Sequence, residues 1–573
     1  MDKKDVVRIL DQTATLLELG GADFFKVRAY RGASRALESS GMETGINTKA
    51  KDLQATKGIG KNIAGHIVEL ISSGTFAEYE RLKASTPPGL LVMLRIPGMG
   101  AKKVKYLFDN LGISDMETLE QACLENRLSV LPGFGKKTQD NILKGIHAVK
   151  RYQQKFLYSQ VIGQAELILE KLRKGGSVIR ASLAGSLRRK KEIIKDIDIV
   201  ASTGEPEMLM ELFTGLDDVE DVIARGSTRS SIRLASGINA DIRTVEDWQF
   251  PYALHHFTGS REHNTAMRSL SKKSGIRMNE YGLFKGKELI KCKSEKDIFG
   301  VFGMQYIPPE LRENHGEVEA AQKGQLPALV EPSDIKGIIH IHTTYSDGKM
   351  TLEQAARKAM DMGFSYIGIS EHSRSARYAG GLKEEDIDNY LTEIDRLNEK
   401  LEGFRIFKGI ESDILNDGSL DYDDRTLERF DFVIIAIHSN FNMSKNDMTK
   451  RIIKALQHPY ASILAHPTGR LLLARDPYEV DMEKIIDAAA QSNVDLELNS
   501  SPFRLDLDWR YGRYAKQKGV KVFIDPDAHT LDGLYDYSFG VNIARKGWLE
   551  AKDIANTMDA GKMADYLENK RKG

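Results

Sequence analysis

The chain has 573 residues, of which 41% are hydrophobic and 29% are charged, and its 82 basic and 82 acidic side chains give a formal net charge of +0. This is the composition of a folded protein, and the length exceeds what one hydrophobic core can organise, so we expect three to five domains. The sequence has no apolar run near about 18 residues and only two cysteines, Cys123 and Cys292, which excludes a transmembrane protein and a disulfide framework.

The charge is unevenly distributed along the chain. Residues 1–150 carry 22 basic and 17 acidic side chains, residues 151–315 carry 26 and 22, and residues 316–573 carry 34 and 43. A basic front half suits a polyanionic partner, and an acidic back half suits metal ions. The first residues, Met1-Asp2-Lys3-Lys4-Asp5, lack the features of a signal peptide. We therefore expect a cytoplasmic protein that binds no membrane and acts as a monomer.

Three segments in the first 150 residues, 57–61, 96–103 and 131–137, repeat a Gly-apolar-Gly pattern followed by lysine. Glycines permit a tight turn between helices and leave backbone N–H groups at a helix N-terminus, where phosphate binds. One such turn alone is more often a helix C-cap, but three copies favour the helix-hairpin-helix, which contacts the DNA backbone regardless of sequence. The predicted DNA contacts are Gly58, Gly60, Gly98, Gly100, Lys102, Lys103, Gly133 and Gly135.

Three aspartates lie in strand-like runs further along the chain. Asp196 and Asp198 alternate with apolar residues within residues 193–200, so both carboxylates point to one face of a strand. Carboxylates this close repel each other unless a cation lies between them. Asp241, in a second strand-like run at residues 238–245, could complete the cluster. Hard oxygen ligands of this kind suit Mg²⁺ or Mn²⁺, and pairs of such ions serve phosphoryl transfer. Two surface acids on an edge strand are the alternative for Asp196 and Asp198 taken alone.

A glycine-serine turn precedes the aspartates. Gly185-Ser186 lets backbone N–H groups and a hydroxyl approach phosphate oxygens, and Arg188 and Arg189 add positive charge. This turn and the three aspartates together resemble the palm of the family X DNA polymerases, within the nucleotidyltransferase superfamily. The resemblance continues through residues 256–260, 264, 267–268 and 279–281.

The resemblance implies a role for each matching residue. Asp196, Asp198 and Asp241 would hold the catalytic metals, with Asp241 next to the primer 3′-OH. Arg268 would lie on the template side. The contacts to the incoming nucleotide would be Gly185, Ser186, Arg189, Phe257, Gly259 and Asn264. This chain has His256-Phe257 where the best-known family members carry a Tyr-Phe pair.

Residues 1–80 resemble the lyase-type domain of the same family. The run from Phe25 to Arg31 would contact a 5′-phosphate, through Lys26 and Tyr30 among others. Lyase members form a Schiff base with deoxyribose through a lysine, and the corresponding residue here is His66. Neutral imidazole cannot form that iminium, so we expect no deoxyribose-phosphate lyase activity by this route.

Beyond residue 335, apolar strand-like runs end in histidine, aspartate or glutamate, with helical segments between them. This alternation is typical of a β/α barrel with its site on one rim. Six of the seven histidines after residue 315 lie in these runs. One strand-end histidine is more often structural than a ligand, but six, interleaved with Asp347, Glu411 and Asp527, favour a multinuclear metal site. Mixed imidazole and carboxylate ligands suit Zn²⁺, Mn²⁺ or Fe²⁺.

The pattern resembles the PHP (polymerase and histidinol phosphatase) domain, which implies a site for two to three ions that hydrolyses phosphoesters. Glu371-His372 stands where an Asp-His pair is usual. All nine ligand positions are filled, by His340, His342, Asp347, His372, Glu411, His438, His466, Asp527 and His529.

The sequence therefore predicts a multidomain chain: an α-helical helix-hairpin-helix region, an α+β nucleotidyltransferase palm and thumb, and a C-terminal β/α PHP barrel. The predicted segments are a lyase-like domain (1–80), helix-hairpin-helix fingers (81–150), a palm (151–245), a thumb and nucleotide-selection subdomain (246–316), a linker (317–335) and the PHP domain (336–573).

The predicted activity is DNA-directed DNA polymerisation from dNTPs on gapped or primer-template DNA, filling short gaps in base excision repair. A metal-dependent 3′→5′ exonuclease, which also cuts at abasic sites, is assigned to the PHP domain. The alternatives are a non-templated nucleotidyltransferase, a module that only binds DNA ends, and a PHP domain that serves as a metal-binding scaffold or acts on another phosphoester.

Overall fold

The computed structural model describes residues 3–39, 48–94, 96–152 and 154–572. The chain divides into two units, Met1–Gln153 and Gln154–Gly573. None of the helices in these described ranges is long and apolar enough to cross a membrane.

The first unit is helical throughout its described residues. Its helices are α1 (Lys3–Leu19), α2 (Phe24–Ser39), α3 (Ala50–Ala55), α4 (Lys61–Ser73), α5 (Ala77–Ser85), α6 (Pro88–Met93), α7 (Ala101–Leu111), α8 (Met116–Leu124) and α9 (Gly135–Tyr152). Their apolar faces form two cores. One lies mainly among α1 to α5 and includes Leu10, Leu37 and Ile67, and the other lies among α6 to α9 and includes Val104 and Leu119.

The three glycine turns of this unit share the conformation of their first glycine, but the second glycine differs in the third turn, where Gly135 has a φ of +38° against −79° for Gly60 and −77° for Gly100. The first glycine of each turn, Gly58, Gly98 and Gly133, has a φ of +108°, +80° and +82°, a region that glycine enters without steric cost. The apolar residue that follows is buried, and its N–H donates to the carbonyl three residues earlier; these residues are Ile59, Met99 and Phe134. Helices α4, α7 and α9 begin at or just after the second glycine. The repeated helix-hairpin-helix that the sequence predicted is confirmed.

The second unit begins with the predicted palm. Its elements are β1 (Phe156–Leu157), α10 (Tyr158–Lys174), β2 (Val178–Leu183), α11 (Gly185–Arg188), β3 (Ile193–Ile194), β4 (Asp196–Thr203), α12 (Pro206–Thr214), β5 (Val219–Arg225), β6 (Arg229–Leu234) and β7 (Asn239–Val245). The main sheet has the order β2-β4-β7-β6-β5, with β4 and β7 parallel and the other neighbours antiparallel. The strand predicted at residues 193–200 is interrupted at Lys195, and its first two residues pair with β1 instead.

The alternation along β4 and β7 decides which face carries the aspartates. Ile197 and Ile199 of β4 and Ile242 of β7 are buried in a core shared with α10 and α12. Because successive side chains of a strand point to opposite faces, the aspartates of these strands lie on the face away from those helices.

A thumb-like region follows the palm. It comprises α13 (Phe250–Thr258), α14 (Arg261–Lys273), β8 (Ile276–Asn279), β9 (Gly282–Lys285), β10 (Glu288–Ile290), α15 (Glu295–Val301) and α16 (Glu317–Gln322), with the three strands in an antiparallel sheet. Helix α16 lies within the segment predicted as a linker. Its Glu317 is buried and pairs with His263 of α14 at 2.7 Å, and its Val318 packs in a core with Trp548 from the C-terminal part of the chain.

The rest of the unit is a nearly closed parallel barrel, as the sequence predicted. Its seven strands pair in chain order: β11 (Gly337–Ile341), β12 (Tyr366–His372), β13 (Arg405–Asp413), β14 (Phe432–Ala436), β15 (Ile463–Leu464), β16 (Asp495–Asn499) and β17 (Val522–Asp525). A parallel bridge between Ile341 and Ala528 joins the first strand to the end of the last. Its helices are α17 (Leu352–Asp361), α18 (Glu384–Asn398), α19 (Asp424–Leu427), α20 (Lys445–Leu456), α21 (Met482–Gln491), α22 (Gly512–Gln517), α23 (Tyr537–Lys546) and α24 (Ala560–Lys572). Short 3-10 turns occur at Asp247–Gln249, Pro309–Leu311, Pro332–Asp334, Arg377–Ala379, Trp509–Tyr511, Asp532–Asp536, Ala551–Asp553 and Ala555–Thr557.

The barrel interior is packed with large side chains. Phe407, Phe432 and Phe523 fill it together with Met563 from α24. A Cβ on Gly409 would lie 2.2 Å from the ring of Phe432, so glycine leaves the room that this ring occupies. Strands buried on both faces explain the near-continuous apolar runs of the sequence, and they leave the strand ends as the place for polar chemistry.

Candidate active sites

The three palm aspartates meet on one face of the sheet. Asp198 and Asp241 are direct neighbours on the parallel strands β4 and β7, and Asp196 lies two residues before Asp198. Burial, together with Asp196 and Asp241, raises the pKa of Asp198 to about 7. Burial and the charge of Asp241 also raise the pKa of Asp196. Carboxylates that oppose each other's ionisation are what a divalent cation would bind and stabilise, so the donor set fits Mg²⁺ or Mn²⁺.

Two residues that the sequence analysis did not identify hold Asp241. Arg229 and Ser231 on β6 both donate to Asp241 Oδ1, the arginine from Nη2 at 3.0 Å. They are two residues apart and therefore share the face of the aspartates. Their alternation is visible in the sequence, but only the pairing of β6 with β7 shows that they face Asp241.

Gly185 is required for the turn to approach the carboxylates. Its φ is +56°, and a Cβ at this position would lie 1.9 Å from Asp198 Oδ2. Any side chain would displace that carboxylate. The first turn of α11 therefore begins directly against Asp198, as the predicted phosphate-binding role of Gly185-Ser186 needs.

A cavity of about 1020 Å³ opens over this face. The seven residues predicted on the nucleotide and template side all line it, beside Asp196 and Asp198: Gly185, Ser186, Arg189, Phe257, Gly259, Asn264 and Arg268. Asn264 is anchored by donating to the carbonyl of His256 at 2.7 Å. Burial lowers the pKa of His256, so its ring is neutral near pH 7.

The two arginines of the turn differ in their surroundings. Arg189 lines the cavity and pairs with Glu313 at 3.1 Å, while it also donates to the carbonyl of Thr258. Arg188, expected to add charge at the phosphate site, instead pairs with Glu295 at 2.5 Å and is not among the residues that line this cavity. Glu295 lies 107 residues further along the chain, so the sequence pattern could not reveal that partner.

The nine residues predicted as PHP ligands converge at the C-terminal rim of the barrel. Three groups of their side chains could each hold a metal ion: His342, Asp347, His372 and His529; His340, His342 and Asp527; and His372, Glu411 and His438. His466 joins them through its Nε2, which lies 3.2 Å from Glu411 Oε1. Parallel strands in chain order bring their C-terminal ends to one rim, which is why residues far apart in sequence meet here.

Buried nitrogen atoms at this rim fit metal ligation. His342 Nε2 lies 3.2 Å from Asp527 Oδ1 and His340 Nε2 lies 3.4 Å from Glu411 Oε1, yet within the described chain neither nitrogen makes a hydrogen bond of acceptable geometry. Burial and the neighbouring His372 lower the pKa of His342 to about 3, which keeps its imidazole in the neutral form that binds metals.

The backbone at this rim is strained at three ligand positions. His340, His466 and Asp527 have φ angles of 58°, 27° and 52°. Residues other than glycine rarely adopt this region, and such strain concentrates at functional sites, where the surrounding structure enforces it.

Carboxylates that the sequence analysis missed orient these ligands. Glu497 contacts His340 Nδ1 and Asp413 contacts His438 Nδ1, an arrangement that fixes which ring nitrogen faces a metal. Asn499 donates to Asp527 Oδ2 at 3.1 Å. The sequence signal was the alternation of Glu497 and Asn499 with leucines along β16. Glu371, where the PHP pattern has aspartate, accepts from the N–H of Thr343 at 2.9 Å and so fixes the loop after β11.

In the first unit, Tyr30 and Lys26 are engaged within the protein. Tyr30 is 2% exposed and its hydroxyl donates to Glu78 at 2.8 Å, also lying 2.8 Å from His66 Nδ1. Lys26 pairs with the same Glu78 but keeps 48% of its side chain exposed. At the second hairpin, Lys103 donates to the carbonyl of Gly98 at 3.0 Å.

Comparisons with known proteins agree with this architecture. Four family models match: a helix-hairpin-helix domain at residues 1–76, a SAM-like helix-hairpin-helix tandem at 90–148, the DNA polymerase beta thumb at 253–313 and the PHP domain at 339–501. The chain is 38% identical over 572 residues to the DNA polymerase/3′-5′ exonuclease PolX of Bacillus subtilis (strain 168), covering 99% of this chain and 100% of the relative.

Shorter relatives match less than half of the chain. A protein described as a probable phosphatase from Thermoanaerobacter sp. (strain X514) is 29% identical over 254 residues, which is 42% of this chain and 97% of the relative. Another, from Acetivibrio thermocellus, is 27% identical over 241 residues, covering 40% and 95%. The full-length match and the domain models lead to one conclusion: the chain belongs to the bacterial family X DNA polymerases that carry a C-terminal PHP domain.

Proposed function

We propose that the protein is a DNA-directed DNA polymerase that fills short gaps during DNA repair, and that its PHP domain is a metal-dependent 3′→5′ exonuclease. The observation that carries the first part is the cavity over Asp196 and Asp198, because it gathers the carboxylates and the predicted nucleotide contacts in one place. The name of the Bacillus subtilis relative combines the same two activities.

In the palm, Asp196, Asp198 and Asp241 would hold Mg²⁺ or Mn²⁺. When bound, such ions align the attacking and leaving oxygens of a phosphoryl transfer and offset their charge. The chain's own residues bind and orient the substrates. Gly185, Ser186 and Arg189 would bind the triphosphate of a dNTP, Phe257, Gly259 and Asn264 would position its sugar and base, and Arg268 would contact the template strand of gapped or primer-template DNA.

At the barrel rim, the nine ligands would hold two to three ions of Zn²⁺, Mn²⁺ or Fe²⁺, which supply an activated water and bind phosphate oxygens when present. Glu497 and Asp413 keep two of the histidines oriented for this task. We also assign cutting at abasic sites to this centre. The hairpins at residues 58–60, 98–100 and 133–135 would contact the DNA backbone. The domain boundaries predicted from the sequence would delimit the functional domains, except that α16, at the start of the predicted linker, packs with the thumb.

The proposal is tested with a gapped duplex labelled at the 5′ end of the primer strand, incubated with Mn²⁺ with and without dNTPs. The expected result is extension of the primer through the gap when dNTPs are present, and stepwise shortening from its 3′ end when they are absent. A primer that remains unchanged in both reactions would overturn the proposal, and addition without regard to the template base would favour a non-templated nucleotidyltransferase.

A second candidate concerns the PHP domain alone. Relatives that match about two fifths of the chain are described as probable phosphatases, so the substrate of the PHP domain could be a small phosphomonoester. Hydrolysis of p-nitrophenyl phosphate without shortening of the labelled primer would favour this candidate over the exonuclease.

A further inference from the structure

The polymerase cavity has one edge that does not come from the palm or thumb. Arg470, Leu472 and Arg510 of the barrel line it beside Gly185, Arg189 and Asp198. Nothing in the sequence motifs assigned these three residues to polymerisation, since they lie in loops of the PHP domain more than 200 positions after the last palm aspartate.

Two barrel loops deliver these side chains. Arg470 follows β15 and is 12% exposed; it pairs with Asp508 at 2.8 Å, donates to the carbonyl of Arg504 at 3.0 Å and approaches Glu192 of the palm at 3.6 Å. Arg510 follows β16, pairs with the same Asp508 at 2.7 Å and keeps 55% of its side chain exposed. Arg470 is therefore a fixed charge at the boundary with the palm, and Arg510 is a charge that a ligand can reach.

The same two loops reach the metal centre. The first begins with the ligand His466, and in the second Arg504 lies 3.6 Å from the ligand Asp527. The loops are tied together by a hydrogen bond from the N–H of Leu472 to the carbonyl of Phe503, at 2.7 Å. The same two hydrogen-bonded loops thus contact the metal-binding rim and carry the arginines that line the polymerase cavity; together they form what we call the shared wall.

The charge of the residues that line the cavity indicates the kind of ligand that the shared wall binds. Eight lysine and arginine residues line it against three acids, two of which are the metal-binding Asp196 and Asp198. The basic residues are Lys155, Arg189, Lys191, Lys195, Arg261, Arg268, Arg470 and Arg510. Such an excess of cations suits a polyanion, and arginine is the side chain that matches phosphate oxygens in geometry.

We propose that Arg510 binds phosphate in the polymerase cavity, beside the fixed charge of Arg470, so that the PHP domain supplies part of the polymerase's substrate site. The inference rests on the proposed function. The phosphate belongs either to the triphosphate of the incoming nucleotide or to the DNA backbone, and these two sources are separated by the experiment.

The test uses the full-length protein with Arg510→Ala, since this exposed side chain can be removed without opening the interior. Arg357→Ala is the matched control, because Arg357 is 64% exposed, pairs with a nearby acid (Glu353, 2.6 Å) and lines neither site. The dissociation constant for gapped DNA is measured by fluorescence anisotropy at several salt concentrations, without dNTPs. The KM for dNTP is measured in gap filling.

We expect Arg510→Ala to raise either the dissociation constant for gapped DNA or the KM for dNTP by about three- to tenfold, and Arg510→Glu to raise the same constant further. A raised dissociation constant for gapped DNA, with a log–log salt slope lower by about one, assigns the phosphate to DNA. A raised KM for dNTP with unchanged DNA binding assigns the phosphate to the nucleotide. If Arg510→Ala and Arg510→Glu both match Arg357→Ala in both constants, the inference is wrong. Wild-type protein that binds gapped DNA without extending it would overturn the proposed function, while the anisotropy comparison would still decide the inference for DNA.

Discussion

Replacing Lys546 with methionine should weaken nucleotide binding at a site to which Lys546 does not belong. Lys546 lies in α23 of the barrel with its side chain 0% exposed, and its Nζ donates to Glu313 at 2.6 Å and to the carbonyl of Arg189 at 3.1 Å. The same oxygen of Glu313 pairs with the guanidinium of Arg189 at 3.1 Å. Lys546 therefore positions the backbone of Arg189, the last residue of the glycine-serine turn. It also positions Glu313, the carboxylate that pairs with the side chain of Arg189.

The expected loss of stability depends on which partners Glu313 keeps after the substitution. Removing one partner of a buried ion pair costs about 3–5 kcal/mol. The side chain of Glu313 is 7% exposed, and Lys546 and Arg189 hold its pKa below the usual range. After the change it keeps Arg189 and, at 3.7 Å, Lys191. We therefore expect a loss of about 2–3 kcal/mol in the free energy of unfolding. Glu313 would then draw Arg189 more strongly, and the KM for dNTP should rise by about tenfold, equivalent to about 1.4 kcal/mol.

The matched control is Lys570→Met. Lys570 is also a buried lysine in a barrel helix, and it pairs with Asp495 at 3.0 Å, without contact to the palm turn. Thermal melts should show a loss of stability in both variants, and gap filling under saturating DNA should show a raised KM for dNTP only in Lys546→Met. An unchanged KM in that variant, or an equal rise in Lys570→Met, would refute the reasoning.

Three further predictions concern the other parts of the chain. Asp198→Asn should raise the thermal midpoint of the metal-free protein at pH 8, because burial and its acidic neighbours raise the pKa of this carboxyl to about 7 and its ionised form therefore destabilises the fold at higher pH. Calorimetry in EDTA should show this gain in the midpoint shrinking as the pH falls through 7 and vanishing below about 4, where the carboxyl is protonated in both the folded and the unfolded state. An unchanged midpoint at pH 8 would contradict the prediction. Lys102→Ala combined with Lys103→Ala should weaken binding to DNA of every sequence alike and lower the log–log salt slope by about one to two, whereas a sequence-selective loss would argue against backbone contacts. Borohydride trapping with a 5′-deoxyribose-phosphate substrate should give no covalent adduct at the first hairpin, where His66 replaces the lysine; an adduct on a lysine between residues 57 and 83 would show that the assignment is wrong.

The parts of the site that the sequence predicted are those fixed by local periodicity. Alternation along a strand places Asp196 and Asp198 on one face whatever the strand pairs with. Strand-end histidines meet because parallel strands in chain order share a rim. Both arguments need only the two-residue alternation of side chains along a strand and the direction of each strand. The palm face and the barrel rim could therefore be predicted without a structure.

The parts that it did not predict depend on contacts between distant segments. Arg188 was grouped with Arg189 as a phosphate-binding charge, but Glu295, 107 residues away, takes it out of the cavity lining. Glu497 reaches His340 across 157 positions. The placement of Arg510 and Lys546 against the palm requires the docking of a whole barrel. No local pattern encodes such pairings, because the energies that decide them come from packing between complete subdomains.

The most direct test of the central claim, that one chain extends and shortens the same 3′ end from two separate centres, compares Asp198→Ala with His342→Ala on one gapped duplex labelled at the 5′ end of its primer. Thermal melts with and without Mn²⁺ establish that each variant is folded. The account predicts that Asp198→Ala still shortens the primer but does not extend it, and that His342→Ala extends the primer but does not shorten it. A folded His342→Ala protein that degrades the primer at the wild-type rate, or a folded Asp198→Ala protein that still fills the gap, would contradict it.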